Sequence, residues 1–278
     1  MARHWWVILA ALAMAVGSAL AAGAASAAPA SAAHTAPAHV VPGHPMITSG
    51  ATGAVTTRPD AGVGALNVVK SSNWSGYAAH LPRKHVYHSV SASWIQPRAQ
   101  CAASTGDEFA AFWVGLDGYN SKSVEQTGTD SDCDGTTPNY YGWFEMFPAA
   151  PVLFTNPVEP GDHISASVTF TGVEKYTLVL TDATQHWTRT VVRRNATLAR
   201  SSAEVITEAP SSGETGAVLP LADFGTVRFS LIRVNGLVLN KETPSRIVMY
   251  DSSGLPEDST SLLGNAGGAF SNTWIRSS

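Results

Sequence analysis

From about Leu66 onward, apolar and polar residues of this chain alternate with a period of two. Ile164, Ala166, Val168 and Phe170 take turns with His163, Ser165, Ser167 and Thr169. This is the pattern of a strand with one face buried and one solvated. The same parity recurs in Val90-Ala92-Trp94, Tyr176-Leu178-Leu180 and Val227-Phe229-Leu231. Turn residues punctuate these runs at Pro160-Gly161, Val234-Asn235-Gly236 and Ser252-Ser253-Gly254. Long amphipathic helical patterns and a βαβ rhythm are absent. The expectation over 66–278 is therefore all-β, a single antiparallel β-sandwich of the size such domains reach as one unit.

Two segments depart from simple alternation. In Tyr140-Tyr-Gly-Trp-Phe-Glu-Met-Phe147, strand parity puts Tyr140, Gly142, Phe144 and Met146 on one face and Tyr141, Trp143, Glu145 and Phe147 on the other. Both faces are apolar, and one carries a carboxylate. Either the strand is buried on both sides with Glu145 tied by hydrogen bonds, or the face is an aromatic groove wall on which Glu145 positions other polar groups. In Ala203–Glu208, the residues Glu204, Ile206 and Glu208 share a face. A solvated edge is the common fate of such glutamates. Here Ala209-Pro210 stops the strand, leaving Glu208 at its end as a candidate base.

Residues 1–65 read differently. Arg3 and His4 precede an apolar run from Trp5 to about Ala22, followed by Ala25-Ser26-Ala27. That is the layout of an export signal cleaved after residue 27, rather than of a membrane anchor. Residues 28–65 are rich in Ala, Pro, Thr and Gly, with His34, His39 and His44 and no apolar periodicity. They read as a pro-segment or a flexible linker. The expected product is secreted, extracellular, off the membrane and monomeric. The chain has 278 residues, 44% hydrophobic and 14% charged, which is enough to bury a sizeable core. A formal charge of -4 supplies no basic stripe for a phosphate backbone, so nucleic acid is an unsuitable partner. Cys101 and Cys133 are the two cysteines. In an exported chain an even pair is expected to be bonded, with two free thiols as the alternative.

The chemistry-bearing residues narrow the activity. The chain lacks Gly-x-Ser-x-Gly and His-Glu-x-x-His, and neither cysteine is a candidate nucleophile once paired, which disfavours serine, zinc and cysteine hydrolysis. No metal and no cofactor is called for. Asp130-Ser-Asp132-Cys-Asp134-Gly135 imitates the opening of a calcium loop, but Tyr141 stands where a bidentate Glu is needed, so it reads as a polar loop near the cleft. Asn73-Trp-Ser75 and Asn195-Ala-Thr197 are sequons. The remaining pair is Gln126, in Glu125-Gln126-Thr-Gly-Thr-Asp130, and Glu208. A carboxamide and a carboxylate together can orient a water, deprotonate it and polarise a carbonyl. A carbohydrate-active sandwich is the rival: exposed Trp and Tyr stack on sugars, with Glu145 and Glu208 as a carboxylate pair or the whole a lectin-like module.

Six motifs, in order, resemble those of the glutamic peptidases, also called eqolisins or peptidase family G1. They are Asn73-Trp74-Ser-Gly-Tyr77, Trp113-Val-Gly-Leu-Asp117-Gly, Gln126-Thr-Gly-Thr-Asp130, Trp143-Phe-Glu145, Ala203-Glu-x-Ile-x-Glu208 and Ala222-Asp-Phe-Gly225-Thr-Val. The resemblance runs from about Ser72 to the C-terminus. It implies a sandwich of two curved seven-stranded antiparallel sheets with the substrate groove on a concave face, and polypeptide substrates. It matches the catalytic Gln to Gln126 and the catalytic Glu to Glu208 rather than Glu204. Trp113, Asp117, Asp130, Trp143, Glu145 and Phe147 fall at positions around the site, implying substrate-binding or supporting roles. Fungal members carry Trp at Val205, an acidic residue at Ala209 and often Tyr at Phe147, differences that bear on side-chain preference.

Overall fold

The computed structural model describes residues 68–80, 86–102, 106–119, 121–195, 199–213, 215–264 and 266–277, with the backbone of 40–41. The export signal of 1–27 and the boundary at 65 lie outside the described residues. The first strands are β1 (Val40–Val41), β2 (Val68–Ser71), β3 (Trp74–Ala79), β4 (Ser89–Ile95), β5 (Ala111–Leu116) and β6 (Val124–Asp134). β7 (Thr137–Phe147), β8 (Val152–Leu153), β9 (His163–Gly172), β10 (Lys175–Asp182), β11 (Trp187–Arg194) and β12 (Ala203–Glu208) follow. The last are β13 (Ser211–Ser212), β14 (Thr226–Val234), β15 (Leu237–Val238), β16 (Ser245–Met249), β17 (Asp258–Thr260) and β18 (Phe270–Trp274). A 3-10 turn at Leu239–Glu242 is the helical element among them.

Two sheets carry the fold. The front sheet runs β2-β16-β3-β12-β5-β6-β7-β8, and the back sheet β11-β10-β9-β4-β14-β18-β17 with β15 beside β14. Pairing is antiparallel except between β16 and β2. Each sheet thus has eight strands rather than the seven the resemblance implied. The difference lies in β8 and β15, two-residue edge pieces. Separately, β1 pairs antiparallel with β13, Val40 opposite Ser212 and Val41 opposite Ser211.

The back sheet follows the alternation predicted for it. Val90, Ala92 and Trp94, Ile164, Ala166 and Val168, and Tyr176, Leu178 and Leu180 all point into one core against Phe112, Val114, Leu116 and Val205 of the front sheet. One expectation fails. Leu231 is 75% exposed, because the β14–β4 register shifts between Ser230 and Arg233 and Leu231 adopts φ +53°. A bulge adds one residue and reverses the parity after it, so Ile232 and Val234 are the ones buried. The Asn235-Gly236 turn is as expected: both residues have positive φ, which suits a tight hairpin.

The acidic stretch Asp130 to Asp134 is a further correction. It is not a loop but the C-terminal half of β6, with Asp130 and Asp132 fully buried. The back sheet grips β6 from behind. Trp94 Nε1 donates to Thr129 Oγ1 (3.1 Å), and Gln96 Nε2 donates to the Asp130 carbonyl (2.9 Å) and Ser131 Oγ (2.8 Å). Cys133 of β6 is bonded to Cys101, which pins this strand to the segment leading out of β4.

Candidate active site

The front sheet has a second apolar cluster on its outer face, formed by Trp74, Trp113, Tyr141, Trp143 and Ile206 with Phe147 packed against it. Strand register arranges this face in rows. One row reads Trp74, Glu208, Ala111, Asp130, Tyr141. The next reads Gly76, Ile206, Trp113, Gly128, Trp143. The third reads Ala78, Glu204, Gly115, Gln126, Glu145. Gln126 and Glu208 therefore lie two rows apart on one face, with the Trp113 indole between them. Two glycines make room for that ring. A Cβ at Gly128 would come within 2.1 Å of the Phe112 carbonyl and 2.6 Å of Trp113 Cβ, and one at Gly115 within 2.9 Å of the ring itself.

Glu208 is the last residue of β12 and fully buried. Its Oε2 accepts from Trp113 Nε1 at 2.8 Å and its Oε1 from Asn73 Nδ2 at 3.1 Å. Two fixed donors orient the carboxylate. Trp74 meets Trp113 edge-on at 5.0 Å, which holds the donating indole. Gln126 Nε2 lies 2.5 Å from Glu145 Oε2, while Gln126 Oε1 and Glu145 Oε1 have no hydrogen-bond partner among the described residues. Burial, with Asp130 nearby, pushes the Glu145 carboxyl well above the usual range, against the opposing effect of the Gln126 hydrogen bond.

Asp130 belongs to a chain of groups. It accepts from Trp143 Nε1 (2.6 Å) and Tyr141 OH (2.9 Å), and the same hydroxyl lies 2.5 Å from Asp132 Oδ2. Burial raises Asp130 to about 7, with Tyr141 and Trp143 pulling the other way. Burial and the neighbouring Asp130 also push Asp132 well above the usual range. Asp132 also accepts from the Ala110 backbone N–H at 3.2 Å, and burial together with the repulsion between the two carboxyls favours a proton shared on the pair.

The sequence-predicted residues thus divide. Trp113, Asp130, Trp143 and Glu145 join Gln126 and Glu208 on the outer face, and Phe147 packs beside them. Asp117 does not. It accepts from the backbone N–H of Arg200 and Ser201 and from Ser201 Oγ at 2.7 to 2.9 Å, clamping the turn that leads into β12. Asn73, Asp132 and Tyr141 were given no role in the sequence. Asn73 opens the first of the six motifs and is the acceptor residue of a sequon. Fully buried and bonded to Glu208, it is closed to glycosylation in the folded chain. Neither Glu204 nor Glu208 is a solvated edge residue: β12 is central and both are fully buried.

Among the described residues no group of three or more His, Cys, Asp or Glu is placed to hold a metal ion, and no helix is long and apolar enough to cross a membrane.

No curated protein matches the chain significantly. Among solved structures, scytalido-glutamic peptidase with a peptide-based transition state analog is 25% identical with a TM-score of 0.62, over 73% of this chain and 98% of that one. SCP-B, a member of the eqolisin family of peptidases in complex with the tripeptide Ala-Ile-His, is 23% identical with a TM-score of 0.59, at the same coverage. Aspergilloglutamic peptidase from Aspergillus niger is 24% identical with a TM-score of 0.54, over 60% of this chain and 99% of that one. These likenesses give the sandwich fold. The sequence profile of the Peptidase A4 family matches residues 72–244, from the Asn73 motif through both predicted catalytic residues. The chain belongs to the Peptidase A4 family, the glutamic peptidases or eqolisins that its six motifs resemble.

Proposed function

We propose that the protein is a secreted endopeptidase that works in acid, with Glu208 as general base and then general acid and Gln126 as the polarising amide. The observation that carries this reading is the setting of Glu208: a buried carboxylate held by two donors, on the same sheet face as a buried carboxamide with an unsatisfied oxygen. Glu208 takes a proton from water as the water attacks the scissile carbonyl, and returns it to the leaving amine. Gln126 donates N–H to the oxygen on which negative charge develops, a preorganised dipole worth about 3 kcal/mol per donor in comparable sites. One member of the pair is an amide, so the site avoids the like-charge conflict of two adjacent carboxylates. The aromatic wall of Trp74, Trp113, Trp143 and Phe147 suits apolar side chains of an extended polypeptide.

Residues 1–27 are read as the export signal and 28–65 as a pro-segment. Support for the second comes from β1, which lies within 28–65 and pairs with Ser211–Ser212, three residues past Glu208. An added strand there occupies main-chain hydrogen-bonding groups beside the site.

The test is hydrolysis of denatured protein at acid pH by the chain freed of residues 1–65. Cleavage unaffected by serine-, cysteine- and metal-directed inhibitors, and lost in Glu208→Gln and Gln126→Ala, is the expected result. Inhibition by a chelator, or activity on polysaccharide alone, overturns it.

A further inference from the structure

A carboxamide has two ends of nearly the same shape and opposite hydrogen-bonding character, so what it meets decides which end is left free. Gln126 offers its Nε2 to Glu145 at 2.5 Å, and the Oε1 it leaves free has no partner among the described residues. That orientation suits an ionised Glu145, which can only accept. It presents an acceptor where a reacting carbonyl oxygen needs a donor. We infer that Glu145 is a positioning residue that sets the Gln126 amide by its own proton: neutral Glu145 donates to Gln126 Oε1 and turns the NH2 toward the substrate, and ionised Glu145 turns it away. This rests on the reading of Gln126 as the group that meets the carbonyl oxygen.

The surroundings fit such a switch. Glu145 and Gln126 are both fully buried and directly opposed across β7 and β6, and exchanging the two ends of the amide needs no more space than the side chain already fills. Around Glu145, β6 brings Asp130 with Asp132 beyond it, β7 itself brings Tyr141, and β8 brings the uncharged Val152 and Leu153. Across β5 stand Glu204 and Glu208 of β12. These groups include no cation, so burial and the neighbouring Asp130 keep the neutral form of Glu145 present well above ordinary carboxylate pH. As pH rises, the proton leaves Glu145 to solvent, the amide turns and the donor is withdrawn. The alkaline limb of the pH–rate profile then reports Glu145 rather than the water-activating Glu208.

The test compares kcat/KM against pH for the parent and for Glu145→Gln, Glu145→Ala and Gln126→Ala, each freed of residues 1–65 and checked by circular dichroism for fold. A glutamine at 145 donates and accepts without titrating, so Glu145→Gln is expected to keep acid activity within about tenfold of the parent and to move the alkaline limb up by more than about one pH unit. Glu145→Ala is expected to lose about 10²-fold in kcat with little change in KM, because the amide is no longer held. An alkaline limb that stays in place in Glu145→Gln while Gln126→Ala is inactive overturns the switch alone. A fully active Gln126→Ala overturns the switch together with the role of Gln126.

Discussion

The outer faces of the two sheets differ in what they do with polar residues. On the back sheet, Ser91, Ser93, Ser165, Ser167 and Thr181 line a shallow depression of about 260 Å³ on the solvent side, and their partners in alternation fill the core. Short hydroxyls cost little there, because water satisfies them. On the front sheet, β5 is buried at all six positions and β12 likewise, and the outward-facing residues include Gln126, Asp130, Asp132, Glu145, Glu204 and Glu208. A buried carboxyl without a cation is among the more expensive things a fold can hold. The back face is what an antiparallel sheet does by default; the front face is what a site demands.

The largest effects are expected where the front face carries its carboxyls, and they separate the two glutamates of β12. Glu208→Gln removes the proton acceptor and should lower turnover by about 10² to 10⁴-fold with the fold intact. Glu204 is held toward its neutral form by burial, and glutamine copies a neutral carboxyl in shape, so Glu204→Gln should be mild. Steady-state kinetics on both variants decide the matter, and the reverse ranking would assign the base to Glu204.

Next comes the strand that carries Gln126. Replacing Cys101 and Cys133 by serine opens a closed loop with 32 residues' separation and should cost about 3 to 4 kcal/mol in the chain-entropy treatment. Denaturant unfolding measures this, and a loss under about 1 kcal/mol would show that the Gln96 and Trp94 contacts alone fix β6. A methyl group at 128 has no room, so Gly128→Ala should cost about 1 to 3 kcal/mol and displace Trp113 from Glu208. The expected signature is a fall in kcat larger than the loss of stability explains.

The pH dependence of stability should follow the buried carboxyls. Those that burial raises, among them Glu125, Asp130 and Asp182, hold their protons in the folded chain at a pH where the unfolded chain has released them, so folding weakens as pH climbs from about 4 toward the folded-state value. For Glu125 that window closes at about 9, with burial the main cause and Asp117 adding to it. For Asp130 it closes at about 7, and for Asp182 of the back sheet at about 6. Tm should therefore be highest in acid and fall through neutrality, with Glu125→Gln flattening the upper part of the curve. A Tm that rises between pH 4 and 8 contradicts this. The smallest effect belongs to the back face: Ser167→Ala should change stability by less than about 0.5 kcal/mol and leave cleavage untouched.

The sequence by itself determined the class of fold, the back-sheet core and the Asn235-Gly236 turn, because period-two alternation and turn chemistry are local properties. It also carried Gln126 and Glu208, through the motifs around them. Tertiary structure alone decided three things. It made Asp130–Cys133 a buried strand, since nothing in an acidic run announces that Gln96 and Trp94 will hold it from behind, even with its cysteine expected to be bonded. It placed Leu231 on the surface, because a bulge changes parity without a local mark. It also separated Asp117 from Asp130, two acids in equally persuasive motifs: one clamps a turn and the other joins the site. A left-handed backbone turn just past β5 takes Asp117 out of the sheet, whereas Asp130 is held in register beside the site. Both depend on pairing between segments as far apart as β5 and β12, which the order of residues along any one of them does not contain.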